Sequence, residues 1–283
     1  MNVESDYYAF TEFDAEHSRR VLRFYTQFFP KGPVLDLGCG PGTFLDLLSD
    51  DGVPARGVDV DEGMVRQARE SGHDVALDDA VAHLRSLPDD SLFGVFAAHF
   101  LEHLAAPDVQ AVYDEAFRVL APGGTFVAAV PNAACLSVLG HDFWRDPTHV
   151  RFYDPVVLQF FAHQAGFRVV AAGENPFNHP GSPPELRPQP IDSFPNLRDN
   201  VTRAIQRAIA LDPDDAENPD DEQAVTHERV WAEVGNVLAQ MDERLDTTQR
   251  NLHELHDRYT NLLRQLYPAN EVYVAVAVPE GTE

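Results

Sequence analysis

Val34 to Gly42 reads VLDLGCGPG, a short apolar run, then glycines at positions 38, 40 and 42, then the helical pattern TFLDLL. Glycine at such a turn lets the backbone bend tightly and leaves room for a ligand to lie against it. The spacing discriminates between ligands. Dinucleotide sites use G-x-G-x-x-G ahead of a helix whose N–H groups hold a pyrophosphate, whereas here the pattern is G-x-G-x-G and Pro41 removes one donor. A ligand without a pyrophosphate fits better. Asp59 closes GVDV, 19 residues past Gly40, where a carboxylate can accept both hydroxyls of a ribose. Asp79-Ala80 follows the next apolar run, placed to meet an adenine edge. Taken singly, the glycines are a turn and the two aspartates are helix caps. Their joint order and spacing favour a binding site.

These residues need a scaffold that brings strand ends together. From Pro33 to Gly173 short β-rich runs alternate with helical patterns, as in a parallel sheet wrapped by helices. The strands fall at Val34 to Leu37, Ala55 to Val60, Asp74 to Leu77, Leu92 to Ala98, Thr125 to Val130 and Phe167 to Ala172. Turn signals stand at Pro41-Gly42, Asp51-Gly52, Pro122-Gly123-Gly124 and Gly166. An amphipathic helix is expected over Glu12 to Phe29, carrying Phe24, Tyr25, Phe28 and Phe29. Pro-rich Asn175 to Pro195 and acidic Leu211 to Glu222 read as connectors around a helix over Pro195 to Leu211. Trp231, Val234, Leu238, Met241, Leu245, Thr248, Leu252, Leu255, Tyr259, Leu262 and Leu266 then follow a strict 3, 4 spacing, a heptad seam about 54 Å long. The alternating run Glu271 to Val278 suits a final strand, which makes the helices an insertion into the sheet domain. The expected organisation is an N-terminal helix or lid over 1–30, a core over 31–178, a helical insertion over 179–268 and a returning strand over 269–283.

The chain has 283 residues and a net charge of −25, with 46 acidic side chains against 21 basic ones. Nucleic-acid and anionic-lipid binding need a basic footprint, so neither is expected. Such self-repulsion is tolerated in concentrated salt, where charges are screened within about 3 Å, and points to a salt-rich cytoplasm; an Arg-biased genome is the plainer alternative. Two cysteines, Cys39 and Cys135, indicate neither a disulfide framework nor a zinc cluster, and no metal is expected. No signal peptide or membrane span is visible, and the chain reads as soluble and cytoplasmic.

The glycine motif with Asp36 before it, the acidic end of the second strand, and Asp-Ala after the third resemble the class I S-adenosylmethionine-dependent methyltransferases. The resemblance implies a Rossmann-like, doubly wound, seven-stranded mixed sheet with an antiparallel last strand. It implies cofactor contacts from Asp36, Gly38, Cys39, Gly40, Asp59, Val60, Met64, Asp79, Ala80 and His99. The carboxylates suit a cationic sulfonium. HFLEHL, LAPGG, PNAACL and above all DPTHVRFYDPVVLQFFAHQAGF are similar to methyltransferases of cell-surface polysaccharide biosynthesis. That implies methyl transfer to a hydroxyl, phosphate or carboxylate of a sugar in an O-antigen-like or glycoprotein glycan, free or lipid-linked.

A sugar hydroxyl benefits from a general base, whereas a phosphate or carboxylate needs none. The leading base is His149 with Asp146 orienting it, against a structural clamp. His103 caps or packs a helix, or touches substrate. Arg145 and Arg151 bind an anionic group or pair structurally, and Tyr7 and Tyr8 form a lid or lie exposed. The heptad segment 231–266 calls for a homo-oligomer or another partner, or for folding back on the shorter helix. Two other functions remain open: a small-molecule methyltransferase acting on a quinone or secondary metabolite, which predicts an enclosed apolar pocket, and a coiled-coil scaffold with an inactive cofactor-binding domain.

Overall fold

The computed structural model describes residues 14–179 and 227–280. It divides the chain into two compact units, 1–183 with 264–283 and 184–263. Tyr7, Tyr8, the helix expected over 195–211 and the acidic connector lie outside the described residues.

In the larger unit, helix α1 (Ala15–Arg23) runs into a 3-10 turn, Phe24–Phe28. The sheet domain then alternates: β1 (Val34–Leu37), α2 (Thr43–Asp50), β2 (Ala55–Asp59), α3 (Glu62–Glu70), β3 (Val75–Leu77), α4 (Ala80–Ser86), β4 (Leu92–Ala98), a 3-10 turn at Leu101–His103, α5 (Ala106–Val119) and β5 (Leu120–Pro131). After β5 come α6 (Leu136–Gly140), a 3-10 turn at Asp142–Arg145, α7 (Pro155–Ala165) and β6 (Arg168–Glu174). The long helix α8 (His227–Leu266) precedes β7 (Glu271–Ala277).

The seven strands lie in the order β3-β2-β1-β4-β5-β7-β6. β1 to β5 are parallel, and β7 is antiparallel to both β5 and β6. β7 pairs along its whole length, with Ala275 opposite Val127 on one side and Ala171 on the other. A strand buried on both faces and paired on both edges must be apolar, which is why EVYVAVA belongs at this position. Its first residue, Glu271, is the exception and is buried as well.

Both faces of the sheet's centre are covered. On one face Leu35, Leu37, Val95 and Phe126 pack against Val109, Val112, Tyr113 and Ala116, the 3- and 4-spaced face of α5. On the other face Tyr25, Phe29, Phe44 and Leu48 close over Phe96 and Val127. The expected single N-terminal helix is instead an α-helix tightened into a 3-10 turn, and Tyr25 and Phe29 on either side of its end are both buried. Pro122-Gly123-Gly124 is not a free turn either. β5 runs through it as a bulge, with Leu120 opposite Leu92 but Thr125 opposite Gly94, and Gly123 and Gly124 hydrogen-bond to Val278.

The smaller unit contains most of α8. Of its heptad positions, Met241, Leu245, Leu252, Leu255, Tyr259 and Leu262 are exposed.

Candidate functional site

In a sheet whose order reverses between β1 and β4, the crevice lies beyond the carboxyl ends of those strands. A cavity of about 1300 Å³ opens there, and its lining includes the ends of β1, β2 and β4, the glycine turn and the residues before and at the start of α4. Asp36, Gly38, Cys39, Gly40, Asp59, Val60, Met64, Asp79, Ala80 and His99 all line it.

One end of the cavity is made by local chain. Gly38 and Gly40 have φ of +67° and +52°, a region that side chains resist, and a Cβ on Gly40 would project into open space. Asp59 closes the turn, accepting the Gly40 N–H on Oδ2 and the Asp61 N–H on Oδ1, both at 2.8 Å. A carboxylate has about four acceptor sites, so it retains capacity for two hydroxyls. Burial raises the Asp59 carboxyl above its ordinary range against the lowering effect of those N–H bonds. Asp36 is buried beside it and is raised further, by burial and then by the Asp59 charge. Two crowded carboxyls are a setting in which a cationic ligand is favoured. Burial, Asp36 and Asp59 also hold the Cys39 thiol up, so it is neutral and unreactive. Asp79 caps α4 by accepting from Ala82 N at 2.9 Å while still lining the cavity, so capping does not remove it from the crevice.

The other end is assembled from distant segments. His99, at φ +51°, directs Nε2 to Glu271 Oε2 at 2.8 Å, and its Nδ1 lies 3.4 Å from Glu102 Oε1. Burial would lower this imidazole, but the neighbouring Glu102 and Glu271 carboxylates raise it to about 10. At neutral pH it is an imidazolium beside two carboxylates, which excludes it as a proton acceptor. Glu271 in turn accepts from Tyr25 Oη at 2.6 Å, Asn175 Nδ2 at 2.5 Å and Asn178 Nδ2 at 3.0 Å. Burial pushes its carboxyl up, but His99, Tyr25 and Asn178 together hold it below the usual range.

Around the Asp146–Arg151 element the expected roles are redistributed. Asp146 does not orient His149. Its Oδ1 accepts from Thr148 N at 2.8 Å and from Thr148 Oγ1 at 2.5 Å, and its Oδ2 is 4.0 Å from His149 Nε2. The His149 ring is held instead by the Phe143 carbonyl, 2.6 Å from Nδ1, and stacks on the Phe143 ring. Neither His149 nor Asp146 lines the cavity; His103 and Thr148 do. Thr148 Oγ1 gives its one proton to Asp146, so it accepts from His103 Nδ1 at 2.8 Å. That leaves the lone pair of His103 on Nε2. Arg145 and Arg151 are exposed and outside the cavity, and Arg151 lies over the Tyr153 ring.

Sequence reasoning did not find Tyr25, Thr148, Asn175, Asn178 or Glu271. The legible signal for Glu271 was a lone carboxylate at the head of an otherwise apolar strand.

The family model described as "Methyltransferase domain" matches residues 9–172. The chain belongs to the methyltransferase domain family. It is 35% identical over 136 residues to a probable S-adenosylmethionine-dependent methyltransferase of Mycolicibacterium smegmatis, covering 48% of this chain and 52% of that protein. It is 28% identical over 152 residues to a ubiquinone biosynthesis O-methyltransferase of Psychrobacter arcticus, covering 47% of this chain and 58% of that one. The chain thus spans about half the length of the curated relatives it matches. A crystal structure of a SAM-dependent methyltransferase from Archaeoglobus fulgidus superposes with a TM-score of 0.61 at 24% identity, covering 94% of this chain and 95% of that one. That superposition supports the fold, including the seven-stranded mixed sheet.

The cofactor of the family, S-adenosylmethionine, fits the residues present. Asp59 has acceptor capacity for ribose hydroxyls, Gly40 leaves the cradle open, and Asp36 with Asp59 favours a positive charge. Among the described residues no helix is long and apolar enough to cross a membrane.

Proposed function

We propose that the protein is an S-adenosylmethionine-dependent O-methyltransferase whose acceptor is a sugar of a surface polysaccharide or glycoprotein glycan. The bound cofactor supplies a methyl group activated on a sulfonium. Asp59 and the Gly38–Gly40 turn hold its nucleoside, and Asp36 and Asp59 favour its charge. The observation that carries the acceptor class is a set of hydrogen-bonding side chains in the cavity lining, Asp14, His17, Ser18, His103, Asp108 and Thr148, which stand beside apolar Val21, Leu22, Phe100 and Leu104. A sugar can engage these donors and acceptors, whereas a quinone ring would use mainly the apolar part of the wall. A hydroxyl acceptor must shed its proton as the methyl arrives, and the wall at His103 and Thr148, aligned by Asp146, is where the acceptor is met.

The test is incubation with methyl-labelled cofactor and a panel of nucleotide sugars, glycans and quinols, alongside mass spectrometry of surface glycans after gene deletion. Label on a sugar and a glycan lighter by one methylene support the reading; label on quinols alone overturns it. Cofactor binding with no transfer to any acceptor would favour the scaffold alternative.

For the seam on α8 we propose a second copy of this chain as partner, in the cytoplasm. Its exposed residues keep the 3, 4 spacing of two-helix packing. Light scattering of Leu252→Asp with Leu255→Asp should give the mass of one chain where the parent gives a multiple; equal masses would remove the proposal. We also assign the excess negative charge to a salt-rich medium, for which the thermal midpoint should rise with molar KCl.

A further inference from the structure

Behind the cavity wall, one donor atom each of Glu102, His103 and His149 lies within 4.8 Å of the others. Three separate features mark this cluster as built to hold something. Glu102 is fully buried, yet neither carboxylate oxygen accepts a hydrogen bond. His99 Nδ1 lies 3.4 Å from Glu102 Oε1, and that ring engages Glu271 more closely at 2.8 Å. Among the described residues two buried carboxylates thus face a single imidazole at ion-pair distance. An uncompensated buried carboxylate is costly unless a cation or a proton meets it.

The two imidazoles are also prepared as ligands. Both have Nδ1 fixed by an acceptor, Phe143 O for His149 and Thr148 Oγ1 for His103, and Thr148 is itself tied to Asp146. Each therefore carries its lone pair on Nε2. Metal-binding histidines show this arrangement, in which the outer N–H is bonded to a carbonyl, hydroxyl or carboxylate that sets the tautomer and ring direction. The rings lie 4.7 Å apart, centroid to centroid. Finally, Val150 N and Arg151 N both bond to the Glu102 carbonyl, so the element carrying His149 is already docked on the turn carrying Glu102 and His103.

We propose that Glu102, His103 and His149 bind one divalent transition-metal ion. Two imidazoles and one carboxylate suit zinc, manganese, cobalt or ferrous iron better than magnesium or calcium, which prefer all-oxygen sites. The ion would join the turn after β4 to the element after α6 and complete the wall that His103 presents to the cavity. The binding site stands on these contacts alone. Its chemical role rests on the methyl-transfer reading: an acceptor hydroxyl meeting the ion at His103 is acidified and releases its proton to water, and His103 then serves as ligand.

The test uses the full chain, freed of metal by chelation and titrated with Co²⁺, whose visible d–d absorption reports nitrogen and oxygen ligands. One Co²⁺ per chain, displaced by Zn²⁺ and accompanied by a rise in thermal midpoint, is expected. Glu102→Gln and His149→Ala, checked for folding by circular dichroism, should each weaken Co²⁺ binding at least tenfold. No saturable binding overturns the site, as does binding unchanged in both variants, which would place the ion on surface histidines. Calorimetry of S-adenosylmethionine on the same metal-free sample separates the two readings: cofactor binding without metal binding overturns only the metal site.

Discussion

The two ends of the cavity solve the same problem, holding charged groups in a partly buried space, by opposite means. At the glycine end the partners are close in sequence and mostly backbone: Asp59 is met by the N–H groups of Gly40 and Asp61. At the far end Glu271 is met by side chains from α1's continuation, the end of β4 and the segment after β6, with sequence separations of 246, 172, 96 and 93 residues. The first arrangement leaves two carboxyls crowded and poised for a cationic ligand. The second is saturated from within. The glycine end should therefore govern cofactor affinity, and the Glu271 network should govern stability.

The sharpest way to break this contrast is Glu271→Ala. It strands the Tyr25 hydroxyl and two Asn amides in the interior and takes a partner from the half-exposed His99 ring, and should cost about 3–5 kcal/mol of stability, read by chemical denaturation. Asp59→Ala should cost about 2–3 kcal/mol of cofactor binding, roughly a hundredfold, with a much smaller effect on the unfolding midpoint. If calorimetry gave Asp59→Ala full affinity, or if it unfolded the protein as severely as Glu271→Ala, the division between the two ends would be lost.

Proton linkage sharpens the same contrast. Asp36 and Asp59 have raised carboxyls, and a cation binds best to their ionised forms. Cofactor affinity should therefore fall on acidification through that raised range, by at most about tenfold per pH unit for each proton involved, with protons released on binding. Calorimetry in buffers of different ionisation enthalpy would show this, and an absence of proton release would contradict it.

At the other end the sign is set by His99 and Glu271. His99 is raised from 6.5 to about 10, so its contribution is complete below its unfolded value and is lost as pH climbs towards 10. Glu271 is lowered, so its contribution is present above its unfolded value and is lost as pH falls through the folded one. The thermal midpoint should decline between pH 6.5 and 10, and Glu271→Gln should flatten that slope. An equal slope in the variant would show that the network does not carry it.

How much of this was legible follows from the range of the interactions. The glycine turn, Asp59 and the cap at Asp79 are contiguous or separated by one helix, so their types and spacing carry the geometry. β7 was legible as well, because the alternating run EVYVAVAV is a local pattern. What failed was pairing across the fold. Asp146 and His149 are close in sequence and invited a dyad, yet Asp146 is turned to Thr148 while a carbonyl holds His149. Pro122-Gly123-Gly124 reads as a turn because the composition is right, but Val278, the residue after β7, pairs with it and makes it a bulge.

The sequence by itself therefore determined the alternating sheet architecture, the glycine turn with Asp59 and the heptad seam, since each depends on local periodicity or on spacing across one βα unit. Only the tertiary structure decided that Glu271 lies beneath His99, that His103 rather than His149 faces the cavity, and that Glu102 meets two imidazoles. Those contacts are set by which strand ends the sheet order brings together, and no spacing along the chain encodes them.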